Sequence, residues 1–417
     1  MKVGSFQKVV LVLLPLMISL LIFSGCRRQE RGTAADVVTI RVWGDPDNRV
    51  VLEPIFDEIN SAFHARYPNI RVNYQWSGSF DAINVAVQSD SLPDSFWVQG
   101  NKSTRMEEMA SAGFLLPLDQ FSPDRSRFPP AALEYSMVDG SVFCTFPGFI
   151  DYALVYYNAD IFARHGLSKP NTYDDFVSIM GTLLAAGVTP VAFGGAEEWS
   201  RYWPIQVIAA AIADDDLERI KNGDTSGNYP QIVELFNDFR EFNSRGYFGR
   251  DPAAQNGDGA QLAFFNGQAA MIFDGTWNSN VMKESPFTLG SFAMPGKDGQ
   301  KASQTGFSNF NTYAISTRAA NPQEVFAYVE FLGSRDVMQI MANHIASIPV
   351  VDDIIVTDPL VAEFAAFDRV GNNIYHVLSG VETRGRPQDV FHSSVLPALM
   401  LGNITGEEGV RAFSAEM

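Results

Sequence analysis

VTIRVWGDPDNRVVLEPIFDEINSAFHARYPNIRVNY, residues 38–74, contains two different hydrophobic periodicities. The first six residues alternate between apolar and polar side chains, which is typical of a β-strand. After a Gly-Asp-Pro break, apolar residues recur every three or four positions from Val51 to Phe63, as on one face of a helix. A second alternating run begins at Ile70. This β–α–β order predicts an α/β fold with a parallel sheet and helices on its faces.

The size and charge of the chain narrow its class. It has 417 residues, of which 46% are hydrophobic. One ordinary core does not accommodate so many residues, so we expect two lobes. The formal net charge is −18. A chain this acidic repels nucleic acid, and no basic patch opposes that, so nucleic-acid binding is excluded.

The beginning of the chain predicts export. Lys2 and Lys8 precede an apolar run over residues 9–23, and small residues follow it. A basic start, a short apolar segment and a small-residue cleavage site are typical of a secretory signal peptide, here residues 1–25. We therefore expect an extracytoplasmic protein, located at the cell membrane or in the periplasm.

The end of this signal, Ser24-Gly25-Cys26, resembles the lipobox of bacterial lipoproteins. It departs from that pattern at Phe23, where leucine is usual. The resemblance implies that Cys26 is acylated and that residues 26–36 form a polar tether to membrane lipid. The alternative is an ordinary signal peptide followed by a chance cysteine.

Four further stretches occur in a familiar order. They are PDSFWV at 93–98 with AGFLLPLD at 112–119, YYNADIF at 156–162 with PNTYDDF at 170–176, FFNGQAAM at 264–271 with DGTW at 274–277, and YAI at 313–315 before the helix with AYVEFL at 327–332. Together they resemble the bacterial extracellular solute-binding proteins of the sugar-binding type, which deliver ligands to ABC importers. The resemblance covers nearly the whole exported chain.

This resemblance implies a two-lobed, type II periplasmic-binding-protein-like fold. Each lobe is then expected to be a mostly parallel sheet flanked by helices, with the ligand in the interlobe cleft. Mapped onto this chain, the N-terminal lobe is residues 36–147 plus 291–332, and the C-terminal lobe is residues 152–290 plus 335–417. The implied partners are a mono- or oligosaccharide and the membrane permease of an ABC transporter. We expect a monomer that needs no cofactor and no metal.

The residue types expected of a sugar site occur at predicted strand exits. A sugar ring presents C–H faces to flat aromatic rings and hydroxyls to carboxylates and amides. In open α/β sheets ligands bind beyond the carboxyl ends of the strands. The candidates chosen on these grounds are Trp43, Asp45, Trp97, Gln99, Trp199, Trp203, Asp274 and Trp277. For each tryptophan, packing in a core is the alternative.

The family resemblance singles out some of these positions and adds others. The aromatic residue after the Gly-containing turn commonly stacks on the sugar, which implicates Trp277. Asp151 and Tyr152 lie where the family often places a polar contact at the first lobe crossing, with a structural hinge role as the alternative. Asn309 is a candidate amide contact. Arg384 matches a region that reaches into the cleft, unless it is an exposed loop charge.

The sequence offers little for the rival classes. A glycosidase uses two carboxylates across a glycosidic bond, but acids are so abundant here that pairing any two is uninformative. No Gly-x-Ser-x-Gly motif is present, and the five histidines have no helical metal spacing. An exported hydrolase is therefore the weaker alternative. A non-sugar solute bound by the same fold, and a lipoprotein that signals without feeding a transporter, stay open.

Overall fold

The computed structural model describes residues 37–102, 104–358, 361, 366–380 and 385–417. The predicted signal peptide, Cys26, the tether and Arg384 lie outside these residues. Among the described residues, no helix has both the length and the apolarity needed to cross a bilayer.

The predicted β–α–β opening is confirmed, and it begins a longer alternation of strands and helices. The strands are β1 (Val38–Trp43), β2 (Ile70–Gln75), β3 (Ser95–Trp97), β4 (Met137–Val138), β5 (Ser141–Val142), β6 (Phe149–Asn158), β7 (Thr189–Ala192), β8 (Ala269–Gly275), β9 (Leu289–Phe292), β10 (Met294–Pro295), β11 (Lys301–Ser303), β12 (Thr305–Phe307), β13 (Tyr313–Ile315), β14 (Ile348–Pro349) and β15 (Arg369–Val370).

Helices fill most of the intervals between these strands. The α-helices are α1 (Arg49–Arg66), α2 (Phe80–Gln88), α3 (Thr104–Ser111), α4 (Pro130–Tyr135), α5 (Ala159–Arg164), α6 (Tyr173–Ala185), α7 (Glu198–Ile212), α8 (Asp214–Lys221), α9 (Pro230–Arg245), α10 (Gly257–Phe265), α11 (Ser279–Met282), α12 (Pro322–Leu332), α13 (Arg335–His344), α14 (Ile374–Gly380), α15 (Pro387–Val390), α16 (Leu396–Met400) and α17 (Gly406–Ser414). A π-helical segment, Phe391–Val395, joins α15 to α16.

Local sequence signals explain where several helices begin and end. The Thr172 side chain accepts a hydrogen bond from the backbone of Asp175, and the Asp175 carboxylate accepts one from Thr172, so α6 has a capping box. Helix α12 has Pro322 in its first turn and ends at Leu332, with Gly333 as its C-cap residue.

The first sheet has the order β13-β3-β1-β2. Strands β1, β2 and β3 are parallel, and β13 is antiparallel to β3. Ile40 and Val42 of β1 are fully buried under α1, because alternate residues of a strand face the same side. This arrangement matches the mostly parallel sheet that the sequence predicts for a lobe.

The second sheet contains β12-β6-β8-β7 with β9 and β14 also paired to β6. Only β7 and β8 are parallel among its described pairings; β6 is antiparallel to every neighbour. The expectation of a mostly parallel second sheet is therefore wrong in this detail. Strand order and direction are set by how the chain crosses between lobes, and local periodicity does not encode them.

Each sheet has its own hydrophobic core, and we call these the first and second cores. The chain passes from the first to the second between Phe149 and Ala153, returns between Ala302 and Phe310, and passes to the second again between Val351 and Ile374. Two segments pack differently from the expected lobe boundaries. Residues 292–302 contribute to the second core and residues 337–351 to the first, because their apolar side chains fill those interiors.

Candidate functional site

A cleft of about 330 Å³ lies between the two cores. The carboxyl ends of β1 and β3 face it from one side, and those of β7 and β8 face it from the other. The floor includes Asp151 of β6 and Thr305 and Gly306 of β12. Small-molecule sites of this size are ordinary for proteins, and strand ends are where α/β folds place them.

Most of the side chains selected from the sequence lie in this cleft. The structure brings together Asp45, Trp97, Gln99, Asp151, Trp199, Trp203, Asp274, Trp277 and Asn309. They come from loops far apart in sequence, so their convergence is a property of the fold.

Two of the predicted residues do not line this cleft. Trp43 is on the opposite face of β1 from Val42, and it packs against the small cluster that contains Ile83 and Phe96. Tyr152 follows Asp151 on β6 and therefore points to the other face of the strand, where its ring centre lies 5.1 Å from that of Phe367. The described structure therefore places both side chains outside this cleft. The prediction for Trp43 used its position at a strand exit without its side-chain parity, whereas that for Tyr152 used the family resemblance at the first lobe crossing.

Aromatic rings form the walls of the cleft. The ring centroids of Trp203 and Trp277 are 4.7 Å apart, and those of Tyr202 and Tyr375 are 6.2 Å apart in a stacked arrangement. Trp199 is 43% exposed at the rim, which leaves much of its ring available to a ligand. Flat rings held at several angles suit a ligand with apolar C–H faces.

Trp97 on the opposite wall is held by two contacts. Its indole Nε1 donates a hydrogen bond to the carbonyl of Asn309 at 2.9 Å. Phe80 stacks on it with ring centroids 5.9 Å apart. A ring fixed in this way costs little conformational entropy when a ligand binds against it.

The glycine before Trp277 has a role that the sequence only partly anticipates. Gly275 is in extended backbone, so it is not needed for a left-handed turn. A Cβ atom at this position would lie 2.0 Å from the indole of Trp277. Glycine is required here because the Trp277 ring covers the backbone of residue 275.

Two buried carboxylates face the aromatic walls. Asp45 is 2% exposed; it accepts hydrogen bonds from the Asp47 backbone at 3.0 Å and from Asn48 Nδ2 at 2.6 Å. Asp274 accepts one from Asn278 Nδ2 at 2.8 Å. Burial raises the pKa of Asp45 and of Asp274 to about 6 in each case. These oxygens are therefore fixed acceptors that are poorly solvated without a ligand.

The position of Asp151 is compatible with both roles that the sequence left open, a polar contact and a structural hinge. Its Oδ1 accepts hydrogen bonds from Ser347 Oγ at 2.6 Å and from Thr276 Oγ1 at 3.3 Å. Ser347 directly precedes β14 and Thr276 directly follows β8, and both of these strands pair with β6. The carboxylate therefore links the ends of two neighbouring strands at the floor. It also lines the cleft.

The sequence profile of bacterial extracellular solute-binding proteins matches residues 48–339. The chain belongs to this family. Among its curated relatives, an uncharacterised ABC-transporter extracellular-binding protein of Pyrococcus horikoshii is 25% identical over 276 residues, which is 63% of this chain and 62% of that protein. The chain thus spans less than two thirds of that relative's length.

Solved structures of solute-binding proteins share the fold. A chitin-oligosaccharide-binding protein superposes with a TM-score of 0.74 at 20% identity, covering 91% of this chain and 98% of its own. A solute-binding protein in complex with raffinose gives 0.72 at 20% identity, with the same coverage of 91% and 98%. The type II two-lobed α/β architecture is therefore confirmed.

This solute-binding protein also has cleft residues that the sequence did not reveal. Asn373 Nδ2 donates hydrogen bonds to Gln206 Oε1 at 2.8 Å and to Gln304 Oε1 at 3.1 Å, and all three amides line the cleft. The one available signal was Gln206, a polar residue inside the otherwise apolar second half of α7. Tyr202 and Tyr375 were also missed.

A polar group lies behind the paired tyrosines. His392, in the π-helical segment, has its ring centre 4.8 Å from that of Tyr202 and 4.6 Å from that of Tyr375. Its Nδ1 is 3.0 Å from Glu198 Oε1. Burial lowers the pKa of His392, which favours the neutral form of the ring, and the ring packs behind the tyrosines of the cleft wall. Within the described part of the chain, no group of three or more metal-ligating side chains is assembled.

Proposed function

We propose that this protein captures a mono- or oligosaccharide outside the cytoplasm and delivers it unchanged to the membrane permease of an ABC importer. The observation that carries the proposal is the cleft between the two cores, where tryptophan and tyrosine rings alternate with fixed carboxylates and amides. Relatives of known type support it, since solved proteins of this fold are described with chitin oligosaccharide and with raffinose.

The binding step follows from the side chains on each wall. The rings of Trp97, Trp203 and Trp277 stack on C–H faces, while Asp45 and Asp274 accept hydrogen bonds from sugar hydroxyls. These buried carboxylates are poorly hydrated in the empty cleft. A sugar hydroxyl that donates to one of them supplies a hydrogen bond that water does not. The pattern of acceptors then selects which arrangement of hydroxyls fits.

The delivery step rests on the two lobes. A ligand that contacts both walls stabilises the closed arrangement by its differential affinity for it. The crossing segments between Phe149 and Ala153 and between Ala302 and Phe310 act as the hinge, and the closed form docks on the permease. The N-terminal lobe is residues 36–147 plus 291–332, and the C-terminal lobe is residues 152–290 plus 335–417. Two segments depart from these bounds in their packing: residues 292–302 pack in the second core, and residues 337–351 pack in the first. The protein works as a monomer.

Anchoring belongs to the same proposal. Acylated Cys26 holds the protein at the membrane, and residues 26–36 give the tether its reach. Metabolic labelling with radioactive palmitate checks this: the wild-type chain takes up label and sediments with membranes, and Cys26→Ala does neither. Equal labelling of both chains contradicts the assignment.

The decisive experiment is a titration of the exported chain with a panel of mono- and oligosaccharides, followed by tryptophan fluorescence. Since Trp97, Trp199, Trp203 and Trp277 line the cleft, a bound sugar changes their emission. The result expected is saturable binding of one or a few sugars, each recovered intact. Consumption of the sugar would indicate a hydrolase, and no response after unfolding and refolding would indicate a non-sugar solute.

A further inference from the structure

A second cavity of about 730 Å³ adjoins the cleft. Its walls come from the start of α3, from residues 135–139 and from α14, so both sides of the molecule contribute. Thr305, Gly306 and His376 line both cavities. The two cavities are therefore compartments of one continuous groove, and we call them the first and second compartments.

The compartments lie on opposite faces of strand β6. Asp151 and Ala153 face the first compartment, whereas Ile150 faces the second. Successive side chains of a strand point to opposite faces, so the strand itself separates the two spaces. The groove connects them around β12, which is an edge strand among the described residues and pairs with β6 alone.

The backbone of β12 is available at this connection. Gln304 accepts a hydrogen bond from the Ala153 N–H at 3.0 Å, and the Ser308 N–H donates to Phe149 at 2.8 Å. Because hydrogen-bonding alternates along an antiparallel ladder, the intervening Thr305 and Phe307 turn their N–H and C=O groups away from β6. Those groups point outward from the sheet edge where the compartments meet.

The second compartment has the chemistry of a carbohydrate site. Phe307 packs edge-on against the buried Tyr135, with ring centroids 5.5 Å apart, and presents an apolar surface. Asn101, Thr104 and Glu107 supply amide, hydroxyl and carboxylate groups. Apolar platforms next to hydrogen-bonding groups suit additional sugar rings as well as they suit the first one.

We propose that the ligand is an oligosaccharide whose chain continues from the first compartment around the edge of β12 into the second. The inference rests on the proposed function, narrows its ligand to an oligosaccharide and adds a second region where that ligand binds. One or two rings occupy the aromatic first compartment, the backbone of Thr305 contacts the sugar chain at the bend, and further rings lie between α3 and α14.

Chain length is the variable that tests this. Calorimetry is done with homologous series from one to five rings: xylo-, malto- and N-acetylchito-oligosaccharides, and sucrose, raffinose and stachyose. In the series that binds, the affinity is expected to rise at least tenfold between two and four rings. An affinity that does not rise beyond two rings overturns the proposal and leaves a sugar receptor intact, whereas no binding of any sugar overturns both.

A bulky substitution locates the extra rings. Thr104→Trp fills the second compartment from α3, and it is expected to abolish the gain for long chains while changing the affinity for two rings less than twofold. Ser111→Trp, exposed at the other end of α3, is the matched control. Ser379→Trp fills the same space from α14 and replaces the first variant if that one does not fold. Unchanged affinity for four rings in a filled variant that folds rejects the second compartment.

Discussion

The indole rings of Trp203 and Trp277 meet with their centroids 4.7 Å apart and their planes at 37°. Trp203 belongs to α7, and Trp277 follows β8 by two residues. Trp277 also packs against side chains of both cores. The Trp277 ring therefore contacts the first core, the second core and the cleft. The affinity of a ligand that stacks on this ring should depend on the relative position of the two cores.

Replacing this ring is expected to weaken binding strongly. Trp277→Ala should lower the affinity for the bound sugar more than tenfold, because stacking area is lost and Trp203 loses its neighbour. The free energy of unfolding should fall by about 1–3 kcal/mol, less than for a fully buried tryptophan. Calorimetry gives the first quantity and urea unfolding the second.

Trp43→Ala is the matched control, since Trp43 is half-buried but does not line the cleft. It should lower stability while leaving the affinity within twofold. An unchanged affinity in Trp277→Ala would reject the stacking role.

The burial of Asp45 predicts a specific pH dependence of stability. Burial raises its pKa from 3.8 to about 6, so between these pH values the folded chain binds more protons than the unfolded chain. Its contribution to stability is thus greatest below pH 4 and is lost as the pH rises through 6. Asp45→Asn should be more stable than the wild type by about 1–3 kcal/mol at pH 8, and no more stable at pH 4.

The same substitution should weaken sugar binding, because the ionised carboxylate accepts hydrogen bonds on both oxygens. Urea unfolding at pH 4 and 8 measures the stability, and Asp57→Asn, at an exposed position of α1, is the control. A stability difference that is the same at both pH values would contradict the prediction. Higher stability with lower affinity is the pattern expected of a binding site that is strained when empty.

The sequence predicts the first half of this architecture better than the second. The alternation in β1 and the stripe on α1 are local signals, and the fold follows them. Strand β6 carries the same kind of apolar pattern, yet nothing in its ten residues distinguishes an antiparallel from a parallel neighbour. That choice depends on the two chain crossings beside it, which only the tertiary structure specifies.

The site shows the same division between local and tertiary information. The sequence places Trp97 and Trp277 at strand exits, and in the structure Trp97 ends β3, Trp277 follows β8 and both line the cleft. Trp43 also ends a strand, but alternate residues of a strand face opposite sides. Since Val42 faces the first core, Trp43 points to the other face of β1 and does not line the cleft. Tyr375 and Asn373 come from a segment with no recognisable motif and reach the cleft through folding alone.

The backbone N–H of Thr305, which points away from β6, can be tested with two substitutions at the same position. Thr305→Pro removes one N–H that points away from β6, so the ladder between the strands keeps its hydrogen bonds. If this N–H donates to the sugar chain, affinity for a four-ring ligand should fall about 2–10-fold, as expected for one hydrogen bond. Thr305→Ala keeps the N–H and should bind as the wild type does. Equal affinities of the two variants would contradict the contact.

Charge sets a further limit on the ligand. Asp45, Asp47, Asp258 and Asp274 line the first compartment, and no lysine or arginine does so among the described residues. The pKa of Asp47 is raised, first by burial and then by the charges of Glu197 and Asp258 on the opposite wall. Among the described lining residues, the negative charges therefore have no cation beside them, which opposes an anionic sugar.

We expect a uronic acid to bind at least tenfold more weakly than the neutral sugar with the same ring stereochemistry, at low ionic strength. Calorimetry at about 20 and about 300 mM salt measures the affinity for each of the two sugars. The ratio of the two affinities should be smaller at high salt, because screening weakens the repulsion. At low salt, Asp47→Asn should have a smaller ratio of these two affinities than the wild type. Equal binding of acid and neutral sugar would contradict the electrostatic argument. If the wild type bound the uronic acid and the neutral sugar equally well but Arg384→Gln bound the uronic acid more weakly, Arg384 would be the cation that compensates the charge of the uronic acid.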